Sequence, residues 1–473
     1  MKMKKINFKG LLVGLLAVSM LAPSCKRYSS DFGDTNDNPN NINEPLLGAL
    51  LTNVLAGISG VANYTRPGYY CQYFSETQYS ATSLYSLPQL QYEGYYSGSM
   101  MDLQTIVNKG TNNNMTQVAK ILLAYYYTFV SDCWGDVPMS EALQGNGYPV
   151  YDSQEDIYKN SLAMLADAVA SFDAASGIQG DIVYSGNVTK WRKFANSLRV
   201  RLALQLTKKY PSAGGYAATQ LQAALNDIDG VITDNADNFK VAYPGGAYQH
   251  PWFATYNGRS DIGESDVMVG IMQARTDGRQ AMYGSSNLGV PYGWDRTSVD
   301  PWQQANTGWA RVLQASLRTE SSTAMILSAS EVYLNRAEAA DRGWTGEDMN
   351  AMYKAGINAS FAQWGVTAPS NAYFAQANVA LGSPAGSAAN VQNIVMQQYI
   401  AAYPDGMRGW NIWRRTGYPV LVPARDATNS SGQIVRRFVY DAQTYGTNPD
   451  ATNAAAGAIP GGDTQDSKVW WDR

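Results

Sequence analysis

Long stretches of helical periodicity, with very little strand alternation, are the feature that most constrains how this chain folds. Apolar residues recur at three- and four-residue spacing in eight segments: 45–58, 114–133, 153–172, 190–210, 216–227, 321–342, 347–364 and 391–403. An apolar stripe at this spacing buries one face of a helix. A further helix is predicted within 68–79. The sequence therefore predicts a mainly α protein.

The predicted helices follow one another in pairs, and some have alanine-rich contact faces, as at Ala337, Ala339 and Ala340. Such pairs suggest helical hairpins stacked like tetratricopeptide units, although the strict 34-residue period is absent. Inserts must then separate the hairpins. The largest, about 229–318, is rich in Gly, Asn, Pro and Trp and shows little periodicity. Irregular segments of this length are uncommon in compact domains unless they are functional.

The N-terminal residues predict export. Lysines precede a short apolar run from Leu11 to Met20, which is too short to span a bilayer as a stable helix. Small residues then lead to Cys25, so a secretory signal would be cleaved before this cysteine. Cys25 resembles the lipidated cysteine of a bacterial lipobox. The alternative is an ordinary secretory signal, because Ala22 and Ser24 also suit simple signal peptidase at the same bond.

These features predict three parts of the chain. Residues 1–24 form the signal peptide, 25–44 form the lipidated N-terminus and a polar tether, and 45–473 form the helical body with its insert. Acyl chains on Cys25 would hold the body on a membrane surface.

Charge and composition exclude several functions. Without the four lysines of residues 1–24 the chain has 31 basic and 39 acidic residues, a balance of −8, and it has no basic block. A nucleic-acid partner is therefore not expected, since such proteins place Lys and Arg against phosphates. His250 is the only histidine, so histidine-rich zinc sites are excluded and any Ser-His-Asp site would depend on it. The sequence leaves two states open for Cys71 and Cys133, a disulfide or two buried thiols.

Several stretches, in this order, resemble one family. They are Asn36-Asp-Asn-Pro39, Trp134-Gly-Asp-Val-Pro-Met-Ser-Glu-Ala-Leu143, Tyr151-Asp-Ser-Gln-Glu-Asp-Ile-Tyr158, Trp191-Arg-Lys-Phe-Ala-Asn-Ser-Leu-Arg199, Glu331-Val-Tyr-Leu-Asn-Arg-Ala-Glu-Ala-Ala340, Trp410-Asn-Ile-Trp-Arg-Arg-Thr-Gly-Tyr-Pro419 and the final Trp470-Trp471. Together they resemble the SusD/RagB family of Bacteroidetes outer-membrane lipoproteins. One departure is Thr276-Asp-Gly-Arg279, where the family often has Asp-Pro-Arg.

The resemblance implies a tetratricopeptide-like helical scaffold on the extracellular face of the outer membrane, held there by its lipid anchor. It also implies a SusC-like TonB-dependent transporter as partner and an oligosaccharide as ligand. Members of the family are binding proteins and not enzymes, so no catalytic residue, metal or cofactor is predicted. The matched Arg and Glu residues lie on predicted amphipathic helices, where we expect them to form ion pairs within the scaffold.

Three other functions remain open. The same machinery carries peptides in some members of the family. A surface-anchored glycoside hydrolase would need two carboxyls about 5–5.5 Å apart for a retaining mechanism, and acids do cluster in the insert, at Asp261, Glu264 and Asp266 and at Asp295 and Asp300. Capping and turn formation explain these acids as well. The third alternative is a structural subunit that caps the transporter without binding cargo.

The insert contains the residue types that bind sugars. Flat aromatic rings cover the C–H faces of a sugar, while planar polar groups satisfy its hydroxyls. The predicted ligand-binding residues are Tyr292, Trp294, Asp295, Arg296, Trp302, Trp309, Trp252, Tyr256 and Asn257, and the family's architecture adds Tyr69 and Tyr70. The alternative for each tryptophan is that it holds the insert on the helices.

Tyrosines are concentrated between Tyr64 and Tyr96, where nine of them occur. Amphipathic rings of this kind supply contact area in protein interfaces. We expect this stretch either to contact the transporter and the cargo or to pack in the core.

Overall fold

The computed structural model describes residues 44–473, except 88, 89 and 383. The predicted signal peptide, Cys25, the motif Asn36–Pro39 and almost all of the tether lie outside the described residues. The helices of eight or more residues are α1 Leu47–Gly57, α2 Met101–Lys109, α3 Asn113–Trp134, α4 Gln154–Ser171, α5 Val188–Gln205, α6 Tyr216–Leu225, α7 Asp266–Gln273, α8 Arg296–Ala305, α9 Ala329–Asp341, α10 Met349–Gln363, α11 Ala388–Ala402, α12 Gly406–Thr416 and α13 Pro449–Gly457.

Short elements complete the described part. The short α-helices are Ser59–Ala62, Thr65–Tyr70, Glu93–Tyr95, Pro251–Tyr256, Gln280–Tyr283, Asn371–Phe374 and Ala442–Thr447, with a π-helical turn at Tyr96–Met100 and 3-10 turns at Asn235–Asp237, Ala315–Leu317 and Trp470–Asp472. The strands are β1 Phe74–Glu76, β2 Phe239–Ala242, β3 Ile262–Glu264 and β4 Thr323–Leu327. They form two separate antiparallel pairs, β1 with β3 and β2 with β4.

Four helical hairpins form the scaffold; the sequence predicts both helices of the first three, and in the fourth it predicts α11 but not α12. They are α3 with α4, α5 with α6, α9 with α10, and α11 with α12. Helix α4 packs on α5, α5 on α9, and α9 on α11, so the hairpins stack in chain order. Side chains fix several helix starts: Asn112 Oδ1 accepts a hydrogen bond from Met115 N at 2.9 Å, and Ser153 Oγ accepts one from Asp156 N at 3.1 Å.

Two predicted helices are wrong in part. The segment 321–342 is not one helix but β4 followed by α9, which begins after Ser328; the Ser328 side chain caps α9 by accepting from Glu331 N. Within 68–79 the short helix ends at Tyr70 and a strand follows at Phe74. In both cases pairing with a distant strand outweighs the local helical pattern, because the tertiary partner supplies the backbone hydrogen bonds.

Buried ion pairs join the hairpins through Arg201, Glu331 and Glu338, as predicted, whereas Arg199 bonds to the side-chain amides of Asn196 and Gln220. Arg201 Nε donates to Glu331 Oε1 at 2.7 Å, which joins α5 to α9. Arg415 Nη1 donates to Glu338 Oε1 at 2.6 Å, which joins α12 to α9. Both residues of the second pair are almost fully buried.

Asp132 joins three parts of the chain through hydrogen bonds from uncharged side chains. Its Oδ1 accepts hydrogen bonds from Tyr158 Oη at 2.6 Å and from Trp471 Nε1 at 2.8 Å, and its Oδ2 accepts one from Asn411 Nδ2 at 2.5 Å. The Trp-Trp end of the sequence is therefore part of the core, with Trp471 fully buried between the first and last hairpins.

The segment Thr276-Asp-Gly-Arg279, where the sequence departs from the family's Asp-Pro-Arg, joins the insert to the scaffold. Arg279 Nη2 donates to Asp277 Oδ2 at 2.6 Å, and both side chains are completely buried. The same guanidinium reaches α10 at Ser360 Oγ and α11 at Gln397 Oε1, each at 2.8 Å. These bonds fix the insert to the scaffold through a side-chain fork that lysine could not reproduce.

The tyrosine-rich stretch is mostly core. Tyr69, Tyr70, Tyr73, Tyr85 and Tyr92 are buried, whereas Tyr79 is exposed. Cys71 and Cys133 are buried free thiols, which decides the question that the sequence left open.

One stretch of the described residues, Leu47–Tyr70, is long and apolar enough to cross a membrane by length and composition. The structure divides it among α1 and two short helices. Residues Leu51, Val54 and Leu55 of α1 are fully buried in the core, and core packing therefore accounts for this apolar run.

Candidate functional site

The insert is anchored beside the tyrosine-rich stretch by backbone pairing. Strand β3 pairs with β1, so that Ser75 lies opposite Gly263. Ser75 Oγ also donates to Pro291 O at 2.7 Å, which brings in the turn that contains Tyr292 and Trp294. Two of the predicted site regions, near residue 70 and near residue 292, are therefore neighbours in the fold.

The turn 291–296 packs on the loop at residues 424–426, more than a hundred residues later in the sequence. Gly293 has φ +71°, and a Cβ at this position would lie 2.5 Å from the Cα of Ala424. Asp426 N donates to Gly293 O at 3.0 Å, and Asp295 N donates to Asp426 Oδ2 at 2.8 Å. Only glycine permits both this backbone conformation and this close approach.

Trp294 and Trp302 remain half-exposed on this part of the insert. They pack at the edge of a small apolar cluster formed by Val290, Val299 and Trp309. The guanidinium of Arg425 lies 4.6 Å from the centroid of the Trp294 ring. We call Trp294, Trp302 and Arg425 the aromatic surface; it combines flat apolar rings with hydrogen-bond donors.

A second aromatic–cation pair lies where β1 ends. Tyr79 is 58% exposed, and the guanidinium of Arg259 lies 5.3 Å from the centroid of its ring. Arg259 is held by Asp261 at 2.5 Å and by Glu76 at 3.3 Å. Burial raises the pKa of the Glu76 carboxyl to about 7.

Sequence reasoning did not select Tyr79 or Arg425, although both are exposed beside the predicted residues. Tyr79 was one of nine tyrosines in an aperiodic stretch, and no pattern distinguishes the exposed ring from the buried ones. Arg425 lies more than a hundred residues after Trp294, and only the loop docking through Asp426 brings it to the ring.

Several predicted site residues are buried. Tyr69, Tyr70, Tyr292, Trp252 and Trp309 are all buried. Tyr292 Oη donates to Tyr69 O at 2.7 Å, and burial raises the pKa of this phenol well above its usual value. The ring of Trp252 meets that of Phe74 edge-on, with centroids 4.9 Å apart. These rings present no open face to a ligand, and Trp309 is the one that packs against Trp294 and Trp302.

The remaining predicted residues differ in exposure. Tyr256 is half-buried, and its hydroxyl donates to Ile262 O at 2.6 Å while accepting from Val312 N at 2.9 Å. Asn257 and Arg296 are exposed. Asp295 Oδ1 accepts from Ser298 N at 2.9 Å and so caps α8. Ligand contact by any of the predicted residues stays a prediction, and the exposed ones are best placed for it.

The acids that suggested a hydrolase all have structural partners. Asp261 holds Arg259, Asp266 Oδ1 accepts from Tyr292 N at 3.0 Å, and Asp300 lies 3.3 Å from Arg296. Glu264 is fully buried and accepts from Gln280 Nε2 at 2.7 Å. Burial raises the pKa of Glu264 to about 8, so this carboxyl is mostly neutral at pH 7.

The single histidine has a structural role. His250 is buried, and its Nδ1 accepts from Trp252 N at 3.3 Å at the start of a short helix. Burial lowers its pKa to about 4, so the ring is neutral at physiological pH. Within the described ranges, no three His, Cys, Asp or Glu side chains are grouped so that they could hold a metal ion.

The sequence matches a SusD-like family, described as "Starch-binding associating with outer membrane", over residues 39–441. The chain belongs to the SusD-like family. This membership confirms the predicted family, and the stacked hairpins confirm the predicted tetratricopeptide-like fold. None of the curated protein sequences matches this chain.

Solved SusD-like structures share the fold over nearly the whole chain. A SusD homologue from Bacteroides uniformis has 25% sequence identity and a TM-score of 0.80, and the match covers 91% of this chain and all of that one. A chitin-binding SusD homologue from Flavobacterium johnsoniae has 25% identity and a TM-score of 0.81, covering 90% and 98%. A SusD homologue from Bacteroides thetaiotaomicron has 23% identity and a TM-score of 0.75, covering 91% and 100%.

Proposed function

We propose that this SusD-like protein binds oligosaccharides on the cell surface and delivers them to a SusC-like TonB-dependent transporter. The observation that carries the proposal is the aromatic surface, in a family described as starch-binding and associated with the outer membrane. A chitin-binding relative with the same fold supports a glycan as cargo. The buried cluster of Val290, Val299 and Trp309 supports both rings of this surface without any need for a ligand.

The structural roles of the insert acids favour binding over hydrolysis. A retaining or inverting glycosidase needs two carboxyls directed at one glycosidic bond. Here Asp261 and Asp300 are paired with arginines, Asp295 caps a helix, and Glu264 is sealed in the core. We therefore propose that cargo leaves this protein unchanged.

The substitution Trp294→Ala should weaken oligosaccharide binding by roughly 1–3 kcal/mol, because a half-buried indole face loses its contact with the sugar. Isothermal calorimetry with chitohexaose and with maltohexaose measures this directly. The melting temperature should change little, since Trp294 packs only at the edge of its cluster. Tyr148→Ala, which removes an exposed ring from a different loop, is the matched control and should bind normally.

Three results would contradict this site or this cargo. Full affinity in both Trp294→Ala and Trp302→Ala would move the site away from the aromatic surface. If the chain binds peptides and neither glycan, its cargo is a peptide, and only the binding role is retained. Cleavage of either glycan by the purified chain, lost in Asp295→Asn, would favour the hydrolase.

We further propose that acyl chains on Cys25 hold the protein at the outer membrane. Cys25→Ala removes the residue that would carry the acyl chains. The variant should therefore move from the membrane fraction to the soluble fraction, because stable anchoring needs more than one acyl chain. Cell fractionation measures the shift, and mass spectrometry of the N-terminal peptide detects the acyl groups. An unmodified Cys25 in a protein that remains in the membrane fraction would contradict lipid anchoring.

A further inference from the structure

Two arginines of the insert have no carboxylate partner. Arg311 Nη1 donates to Trp309 O at 2.9 Å, and Arg318 Nε donates to Leu313 O at 3.2 Å. Within the part of the chain that the structure describes, neither guanidinium forms an ion pair. A guanidinium has five N–H donors, so each side chain keeps donors that no described residue uses. We call Arg311 and Arg318 the arginine pair.

Both guanidiniums lie over aromatic rings. The Arg311 guanidinium is 3.0 Å from the centroid of the Trp309 ring, and that of Arg318 is 4.4 Å from the centroid of the Tyr256 ring. Both arginines are nevertheless partly exposed, and neither has a buried nitrogen without a partner. A ring beneath a guanidinium restricts its plane and leaves the edge with its N–H groups free for an anion.

The ring under Arg311 also belongs to the aromatic surface's support. Trp309 packs against Trp294 and Trp302 in one apolar cluster. The arginine pair and the aromatic surface are therefore joined through a single buried ring, and a ligand long enough to cross Trp309 reaches both.

The two arginines meet around Tyr256. The Tyr256 hydroxyl accepts from Val312 N at 2.9 Å, one residue after Arg311, while Arg318 lies over the Tyr256 ring. Burial lowers the pKa of the Arg311 guanidinium, and the positive charge of Arg318 acts in the same direction. Two like charges without a counter-ion repel each other, and an anion bound beside them removes that cost.

The nearby carboxylates are bound to other groups. Asp261 is held by Arg259 at 2.5 Å. Glu320, two residues after Arg318, accepts from Gly246 N at 3.3 Å and forms no ion pair with that arginine. The chain as a whole is acidic, so these unpaired positive charges do not follow from an overall excess of basic residues.

We propose that the arginine pair binds the carboxylate or sulfate groups of an acidic oligosaccharide whose other units stack on the aromatic surface. This names the class of cargo and rests on the proposed function of the aromatic surface. A guanidinium fork matches two oxygens of a carboxylate or of a sulfate ester. A neutral glycan engages only the rings and leaves the arginine pair without a counter-ion.

Calorimetry at low ionic strength tests this with three hexasaccharides. Hexagalacturonate carries carboxylates only, a κ-carrageenan hexasaccharide carries sulfates only, and maltohexaose is neutral. We expect at least one acidic probe to bind roughly tenfold more tightly than maltohexaose, because hydrogen bonds between ionised groups are about twice as strong as neutral ones. Arg311→Gln combined with Arg318→Gln should abolish this advantage and leave maltohexaose binding unchanged. Lysine at both positions keeps the charge but loses the fork, and should restore only part of the affinity.

Arg336→Gln is the matched control. Arg336 also lies over a ring, 5.2 Å from the centroid of Tyr333, but Glu347 pairs with it. This substitution removes one positive charge from helix α9 of the scaffold, and it should leave the binding of all three probes unchanged.

Three outcomes would overturn the proposal. The first is that neither acidic hexasaccharide binds more tightly than maltohexaose. The second is that the double glutamine variant keeps the advantage, or that Arg336→Gln loses as much of it. The third is that hexaglutamate binds as tightly as the acidic glycans, since charge alone would then suffice. None of these results affects Trp294-dependent binding of neutral glycans, so failure of the arginine pair is distinguishable from failure of the proposed function.

Discussion

Replacing Glu338 by glutamine should lower the free energy of unfolding by about 3–5 kcal/mol, because a buried guanidinium would lose its counter-charge. Glu338 is completely buried and receives two bonds from Arg415, at 2.6 and 2.8 Å. Arg342 and Gln398 also bond to this carboxylate. Burial alone would raise its pKa, but Arg415 and Arg342 outweigh burial and hold the pKa well below its usual value.

Urea denaturation at pH 7 measures this loss. The matched control is Glu347→Gln, which removes the partner of Arg336 in a pair that keeps contact with solvent. A partly exposed pair of this kind contributes about 0–1 kcal/mol. Equal losses in the two variants would show that burial does not decide the strength of the Glu338 pair. Because the pKa of Glu338 is lowered in the folded state, its contribution is present above about pH 4.5 and is lost on acidification.

Replacing Glu264 by glutamine should make the protein more stable, relative to the unsubstituted chain, as the pH rises. Burial raises the pKa of Glu264 to about 8 in the folded protein, and among the described residues its hydrogen-bond donor is the neutral amide of Gln280. The folded state therefore holds a proton that the unfolded state releases between about pH 4.5 and pH 8. As the pH rises through this range, the unsubstituted chain loses stability at this position. Glutamine keeps the shape of the side chain and has no proton to lose.

The expected result is a change with pH in the stability difference between the two chains. Relative to the unsubstituted protein, Glu264→Gln should gain roughly 3–5 kcal/mol between pH 5 and pH 8.5, since one pKa unit corresponds to about 1.4 kcal/mol. Urea denaturation of both chains at the two pH values gives this quantity. A stability difference that is constant with pH would mean that Glu264 is ionised in the folded protein throughout.

The sequence predicted the scaffold well because its helices are long and amphipathic. The predicted segments 114–133 and 153–172 differ from α3 and α4 by a single residue at each end. Local signals set these boundaries, including the caps at Asn112 and Ser153. The helix predicted over 321–342 failed because β4 pairs with β2, which lies about eighty residues earlier. No local pattern carries information on such a partner.

The site could be predicted only as a region. Composition identified the insert and its aromatic residues, and Trp294 and Trp302 do remain accessible there. Tyr69, Tyr292 and Trp252 have the same chemistry, but the structure buries them. Whether a ring is exposed depends on what covers it, and the covering residues come from other parts of the chain. Arg425 beside Trp294 is such a case.

The sequence by itself determined the helical class, the order of three hairpins and the family, because these follow from local periodicity and from motifs read in order. Tertiary structure alone decided which aromatic rings are exposed, that Cys71 and Cys133 stay unpaired, and that Asp277 and Arg279 join the insert to α10 and α11. The physical reason is that burial, and with it the pKa of a carboxyl such as Glu264 or Glu338, is set by neighbours distant in the sequence.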